Sequence, residues 1–303
     1  LTEVPVRFWR GAPFGTALPT GDGTEWVDEK PMLHQQVPSD IPPEIHAHIL
    51  IRLAEVEREN NVRILFAAES GSRAWGFPSP DSAYDVRFIY AHPTNWYLSL
   101  HEQRDVIECG IDDQEIDLSG WDVRKALRLL IKSNAALYEW TRSPIIYRDD
   151  GKSRNKISRL FEQNASRHRL MMHYFEYAKS TWRRTQGDAD TIKLKRYFYA
   201  IRPLLACDWA GKHGTPPPMR MQDLLADVPP PAPVTDALEV LLLLKTQTSE
   251  LGHGPRVPIL DAWIAEKLEN KPIADEVEGN DRSEVLTPAR ADVEAFFLSA
   301  IGF

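Results

Sequence analysis

Gly71-Ser72-Arg73-Ala74-Trp75-Gly76-Phe77, followed shortly by Asp81-Ser82-Ala83-Tyr84-Asp85-Val86-Arg87, is the stretch on which the fold turns. It is entered through Val62-Arg63-Ile64-Leu65-Phe66-Ala67-Ala68, a β-branched and aromatic run of strand length. A strand that breaks into a Gly-Ser turn and a short helix presents backbone N–H groups and a hydroxyl outward, which suits phosphate oxygens. Gly and Ser are ordinary loop residues, so on their own Gly71 and Ser72 read first as a plain turn. Two strands further along the chain change that reading. Tyr84 to Tyr90 alternates as a second strand, with Tyr84, Val86 and Phe88 on one face and Ala83, Asp85 and Arg87 on the other. Gln114 to Ser119 alternates as a third, with Glu115 and Asp117 opposite Ile116 and Leu118. Carboxylates on one face of neighbouring strands, beside a phosphate-cradling turn, suit Mg²⁺, which takes hard oxygen ligands and binds through a few carboxylates plus substrate phosphates.

At these residues the chain resembles the DNA polymerase β superfamily of nucleotidyltransferases, whose pattern is Gly-Ser, a short spacer, Asp-x-Asp, and a third acid on a later strand. It resembles in particular the nucleotidyltransferases associated with RNA repair, and the likeness continues through Asp117-Leu118-Ser119-Gly120-Trp121-Asp122-Val123-Arg124-Lys125-Ala126 and Lys195-Arg196-Tyr197-Phe198-Tyr199-Ala200-Ile201-Arg202-Pro203-Leu204. It thus covers most of the chain from about residue 45 onward, leaving out the first forty residues and the last thirty. The resemblance implies an α/β (α+β) fold, a polymerase β-like domain with a mixed sheet followed by an all-helical domain. It implies transfer of a nucleoside monophosphate from an NTP, with ATP the expected donor, to a hydroxyl acceptor, with release of pyrophosphate. Gly71 and Ser72 would hold the β and γ phosphates, Asp85 and Asp117 would bind metal, and two Mg²⁺ ions would serve the intact enzyme. An RNA end is the implied acceptor; a protein hydroxyl, a small molecule, or a nucleotide- or partner-binding module with a dead site are the alternatives.

Position 83 should supply the other shared metal ligand, and it is alanine, whose methyl group cannot coordinate Mg²⁺. Since the motif around it is intact, an engineered Asp-to-Ala change that traps substrate is the first explanation. A naturally inactive binding protein is the second, and substitution by Asp81 or Glu115 the third. Each of the first two predicts a catalytically impaired chain that binds without turnover.

Length and composition, 303 residues with 43% hydrophobic content, fit a two-domain protein with more than one core. Two cysteines, Cys109 and Cys207, form no disulfide framework and fit a reducing, cytoplasmic setting as packed thiols. Leu241 to Leu244 is too short a run for a membrane span and reads as helix core. The chain opens on Leu1, as a trimmed or internal piece of a longer protein would. The net charge of −8 argues against a general nucleic-acid coat, yet residues 151–202 carry thirteen Lys and Arg against four Asp and Glu. That basic segment reads either as a grip for a triphosphate or polynucleotide backbone or as solvated helix faces.

Residues 1–40, Gly- and Pro-rich, read as an irregular extension; 41–150 as the nucleotidyltransferase domain; 151–303 as a strand-free helical domain with helices at 155–163, 165–186, 189–207, 234–249 and 256–269. Before the strands, Ile45, Ile49, Leu53 and Val56 form one helical stripe, and Trp121 to Ile131 reads as the helix after the third strand. Within the helical half, Lys195, Tyr199 and Arg202 stand at i, i+4 and i+7 along one helix face, which reads as a grip for triphosphate or as a structural Tyr-Arg cluster at a domain interface. Arg73 and Arg87 flank the cradle and neutralise phosphate or pair with nearby acids. Trp75 and Phe77 read as packing rather than base-stacking residues, and His168 and His173 as surface or packed residues rather than a metal pair.

Overall fold

The computed structural model describes residues 18–19, 26–27, 41–185, 190–247, 252–272 and 288–302. The reading of residues 1–40 falls outside these, apart from a two-residue ribbon, β1 (Leu18–Pro19) with β2 (Trp26–Val27). The first half continues as α1 (Pro43–Asn60), β3 (Arg63–Glu69), α2 (Gly71–Ala74), β4 (Tyr84–Ala91), α3 (Thr94–Tyr97), β5 (Val106–Ile111), β6 (Ile116–Asp122), α4 (Val123–Ile131), α5 (Ala135–Arg142) and β7 (Ile146–Asp149). The second half is α6 (Ser153–Asn164), α7 (Arg167–Arg183), β8 (Thr191–Lys193), α8 (Lys195–His213), α9 (Met221–Asp227), α10 (Ala232–Gln247), β9 (His253–Pro255), α11 (Pro258–Glu269) and α12 (Pro288–Ala300).

A five-stranded sheet in the order β5-β6-β4-β3-β7 organises the α/β fold; β4 and β6 run parallel and every other neighbouring pair antiparallel. The parallel register sets Asp85 directly beside Asp117. β3 lies inside the sheet and is buried from Ile64 to Glu69, which is why its sequence is an apolar run rather than an alternation. A register shift between Ile64 and Phe66 lets Leu65 and Phe66, though consecutive, both join the larger apolar cluster.

The sheet is covered on both sides. On one, Ile49, Leu53 and Val56 of α1 meet Val86, Phe88, Ile116 and Leu118; Ile45 is only partly buried at the margin of that stripe. On the other, Leu65, Phe66 and Ile89 pack into a cluster that includes Leu127 and Leu130 of α4, Phe161 of α6, Tyr174 and Phe175 of α7 and Phe198 and Ile201 of α8. The change from strands to helices falls near residue 150, but this apolar cluster is continuous across it.

Several elements differ from the sequence expectation. β5 and β7 are not apparent in the sequence because β5 is an edge strand with mostly exposed residues and β7 spans only four. The helical half holds strands after all: Thr191–Lys193 pairs with His253–Pro255, so α8 begins at Lys195 rather than 189. The helix expected from Trp121 starts at Val123, where the Asp122 carboxylate caps it by accepting from the Arg124 amide at 2.8 Å. Cys109 is exposed rather than packed, and Cys207 is buried. No helix among the described residues is long and apolar enough to cross a membrane.

Candidate functional site

β3 delivers the chain to the site and β4 receives it. The Ser70 amide donates to the Asp85 carbonyl at 2.8 Å, which joins the strand ends. Gly71 comes next with φ +60°, and a Cβ there would overlap the Asp85 carboxylate, so the position demands glycine for both its backbone and its missing side chain. The Ser72 hydroxyl, at the start of α2, donates to the Ser82 hydroxyl at 3.1 Å. Arg73 donates to the Ser82 carbonyl at 2.6 Å and lies over the Tyr84 ring, 4.1 Å from its centroid.

Asp85 and Asp117 face the same way, and Arg87 bridges them: its Nη2 donates to Asp85 at 3.0 Å and to Asp117 at 2.7 Å, and its Nη1 to the Asp117 carbonyl at 2.8 Å. Burial raises the Asp85 pKa, Arg87 opposes the rise, and the Asp117 charge adds to it. Two carboxylates abreast that draw a guanidinium between them form a pair that wants a cation. They fit one Mg²⁺ completed by phosphate oxygens. They do not fit a shared two-ion centre, because Ala83, just before β4, has no ligand atom. Among the described residues no third His, Cys, Asp or Glu gathers with them. Glu115 does not share the Asp117 face as expected: it is exposed, with φ +59°, in the turn before β6. Asp81 is exposed and exerts its charge on Lys245, so neither acid replaces the missing ligand.

Behind the carboxylates lies a cavity of about 270 Å³ between the sheet and the helices. Ser70, Gly71, Trp75, Asp85 and Arg87 line its sheet side; Glu139 and Trp140 of α5, His173, Tyr174 and Tyr177 of α7, and Tyr199, Arg202 and Pro203 of α8 line the other. The aromatic content suits a planar base, with Asp85 of the carboxylate pair in the lining.

The expected Lys195-Tyr199-Arg202 face is not one surface. Tyr199 lines the cavity and Lys195 is exposed at the first turn of α8, but Arg202 is 2% exposed. Its guanidinium is held by Glu139 at 3.0 Å and the Met219 carbonyl at 2.8 Å, 4.5 Å from the Trp75 ring centroid. Glu139 also accepts from Trp75 Nε1 at 3.3 Å and the Tyr174 hydroxyl at 2.9 Å. Arg202 is therefore a pillar of the cavity wall rather than a phosphate grip, the structural Tyr-Arg cluster of the two readings. α8 is apolar on most sides, so a polar residue at the right spacing turned into the core.

Other residues at the site were not anticipated. Glu69 is fully buried, accepts from the Asp85 amide at 3.1 Å and the Tyr147 hydroxyl at 2.6 Å, and burial pushes its pKa up to about 7. An acid closing an apolar strand right beside the Gly-Ser turn was the available signal. His173, read as a packed or surface residue, lines the cavity, and burial lowers its pKa. Trp75 both packs and lines the cavity, whereas Phe77 is core, stacked on Phe198 at 5.2 Å. For Glu139 and Lys245, which come from distant helices, the sequence carried no signal beyond a charge inside an apolar run.

Fold and site together define a polymerase β-type nucleotidyltransferase. Residues 45–298 match the RNA repair pathway DNA polymerase beta family, RlaP, and the chain belongs to that family. It is 40% identical to the uncharacterized protein YcgL of Bacillus subtilis (strain 168) over 222 residues, covering 73% of this chain and 84% of that one. It is also similar to the crystal structure of a nucleotidyltransferase-like protein from Exiguobacterium sibiricum 255-15, at 14% identity over 75% of each chain with a TM-score of 0.32.

Proposed function

We propose that this chain binds a nucleoside triphosphate, ATP first, with its base in the aromatic cavity and its phosphates along the Gly71-Ser72 turn, and that the complete site transfers the nucleoside monophosphate to the hydroxyl of an RNA end. The observation that carries this is Asp85, packed on Gly71 in the cavity lining, with Asp117 abreast of it on the neighbouring strand. In the transfer, the acceptor hydroxyl loses its proton to water as its oxygen attacks the α-phosphorus, the bond from that phosphorus to the bridging oxygen breaks, and pyrophosphate leaves with the electron pair. Asp85 and Asp117 would hold Mg²⁺, which when bound neutralises phosphate charge and steadies the leaving group. Trp75 and Tyr199 confine the base, and the Glu139–Arg202 pair keeps the wall that carries them rigid. Arg87 must release the two carboxylates, or share them, as the cation enters.

Alanine at position 83 makes the present chain a binder with impaired turnover. The same alanine, with Arg87 already neutralising the acids, favours one second reading, a nucleotide-binding module without catalysis. Ala83→Asp, offered labelled NTPs with RNA, with protein and with no acceptor, separates the readings. Label transfer to RNA with pyrophosphate release supports the proposal; transfer to protein moves the acceptor to a protein hydroxyl; no transfer and no pyrophosphate leaves the binding module. An RNA acceptor also requires RNA affinity that falls steeply with salt, and a flat profile would sink that part.

A further inference from the structure

α7 and α8 lie side by side and antiparallel, and contacts along their length fix which residues meet. Arg196 Nη1 at the start of α8 donates to the Arg184 carbonyl that closes α7, and the Trp182 and Tyr197 rings lie 5.7 Å apart. Further along, Tyr177 and Tyr199 line the cavity together, and Met171 approaches Gly211 beyond them. Arg184 stands seven residues from Tyr177 and Arg196 three from Tyr199, so each tyrosine shares a helix face with an arginine. The arginine end of the pair therefore lies about two helical turns, roughly 10 Å, from the tyrosines of the cavity.

That end carries positive charge without local compensation. Arg184 is exposed and Arg196 partly exposed, and among the described residues no carboxylate forms an ion pair with either. Lys195 adds a third cation, exposed at the first residue of α8. Glu176 and Asp190, the acids of this stretch among the described residues, are exposed and pair with neither arginine. On a chain of formal net charge −8 this cluster is a local exception, and a bound anion would relieve its repulsion. Tyr177 links the cluster to the cavity. It keeps 41% of its surface exposed while lining the cavity. Burial raises its pKa, and Arg184 and Asp85 act on the same hydroxyl with opposite sign, so the ring is within reach of both the cations and the carboxylate site.

We propose that the α7–α8 pair is the track of the acceptor strand: Arg184 and Arg196 hold backbone phosphates of a single-stranded RNA, and Tyr177 stacks on a base as the terminal hydroxyl approaches Asp85. This rests on an RNA end being the acceptor. Guanidinium forks match phosphate oxygens and an exposed phenol ring offers a face to any base. An acidic peptide would satisfy the arginines but would leave the ring without a stacking partner.

The test is fluorescence anisotropy of the full chain with a labelled single-stranded RNA of about ten nucleotides, repeated across salt concentrations. Arg184→Gln with Arg196→Gln removes both charges at the surface, and Tyr177→Leu and Tyr177→Phe separate stacking from the hydroxyl; thermal melting checks that all remain folded. In the double arginine variant, RNA affinity should fall about tenfold or more and the salt slope should become shallower by about 1.4, the share of two phosphates on a single strand. Tyr177→Leu should lose about fivefold or more with the slope unchanged, while Tyr177→Phe keeps the affinity. ATP affinity, followed by calorimetry, should be the same in the arginine variant as in the parent. RNA affinity and slope that survive loss of both arginines overturn the track and leave the RNA acceptor standing. An equal loss of ATP affinity assigns the arginines to the nucleotide and also overturns the track. Arginine-dependent binding of a polyglutamate peptide, with none of RNA, moves the surface to an acidic protein partner and sinks the RNA reading. Binding of neither polymer overturns both.

Discussion

Gly71 and Glu69 carry the strictest demands at the level of single residues. Gly71 has φ +60° and gives its missing side chain's space to the Asp85 carboxylate. Gly71→Ala therefore costs about 1–3 kcal/mol of stability from backbone strain alone, and it displaces Asp85; urea denaturation with nucleotide titration should register both losses. Glu69 holds the Asp85 amide from a fully buried position, with its pKa raised from 4.5 to about 7. The folded chain thus keeps a proton that the unfolded chain releases at lower pH. Its contribution to stability is fully present below pH 4.5 and is lost as pH rises through about 7. Glu69→Gln should flatten the stability profile over that window, measured as urea midpoints at several pH values; an unchanged slope would contradict the assignment. The residues of the turn and of β4 were legible in the sequence because their spacing is local. Glu69 was not, because its pKa depends on how thoroughly the sheet and Tyr147 exclude water.

At the scale of elements, the wall of the cavity depends on a charged pair linking α8 to α5. Arg202 and Glu139 are both buried, and removing one partner leaves the other's charge without its counterion. Arg202→Met should destabilise the fold by about 3–5 kcal/mol, and adding Glu139→Gln should recover part of that loss, a non-additivity that a double-mutant cycle in chemical denaturation would measure. Additive losses would show that the pair does not act as a unit. β4 and β6 were readable from alternation since Val86, Phe88, Ile116 and Leu118 pack against α1 while Asp85 and Asp117 stay partly exposed on the other face. The same logic failed for Glu115, whose positive φ keeps it in the turn before the strand, so that β6 begins only at Ile116. It failed again on α8, where Lys195 is exposed while Tyr199 lines the cavity and Arg202 is buried, because spacing does not say which side faces the core.

For the whole molecule, the apolar cluster beneath the sheet joins Leu65, Phe66 and Ile89 to Phe161, Phe175 and Phe198, so this core is shared across residue 150, whereas the cluster under α1 lies wholly before it. Further ties cross the boundary: Gln222 donates to the Gly76 carbonyl at 2.8 Å, and the Met221 amide to the Trp75 carbonyl at 3.0 Å. Residues 41–150 expressed alone should lack a cooperative urea transition, while the full chain should unfold with coincident transitions by tryptophan fluorescence and circular dichroism. A cooperative transition in the isolated fragment would show the two parts to be independent.

The class of chemistry was determined by the sequence itself, because the turn, the neighbouring acids and the alanine at 83 lie in short segments whose alternation specifies which side chains share a face. Tertiary structure alone decided where the polar residues between the segments stand. Arg202 turned inward, Lys245 reached Ser79 and Glu69 lost its water through contacts between segments remote in the chain. Burial and charge pairing, the two effects that set those roles, exist only once those segments are packed together.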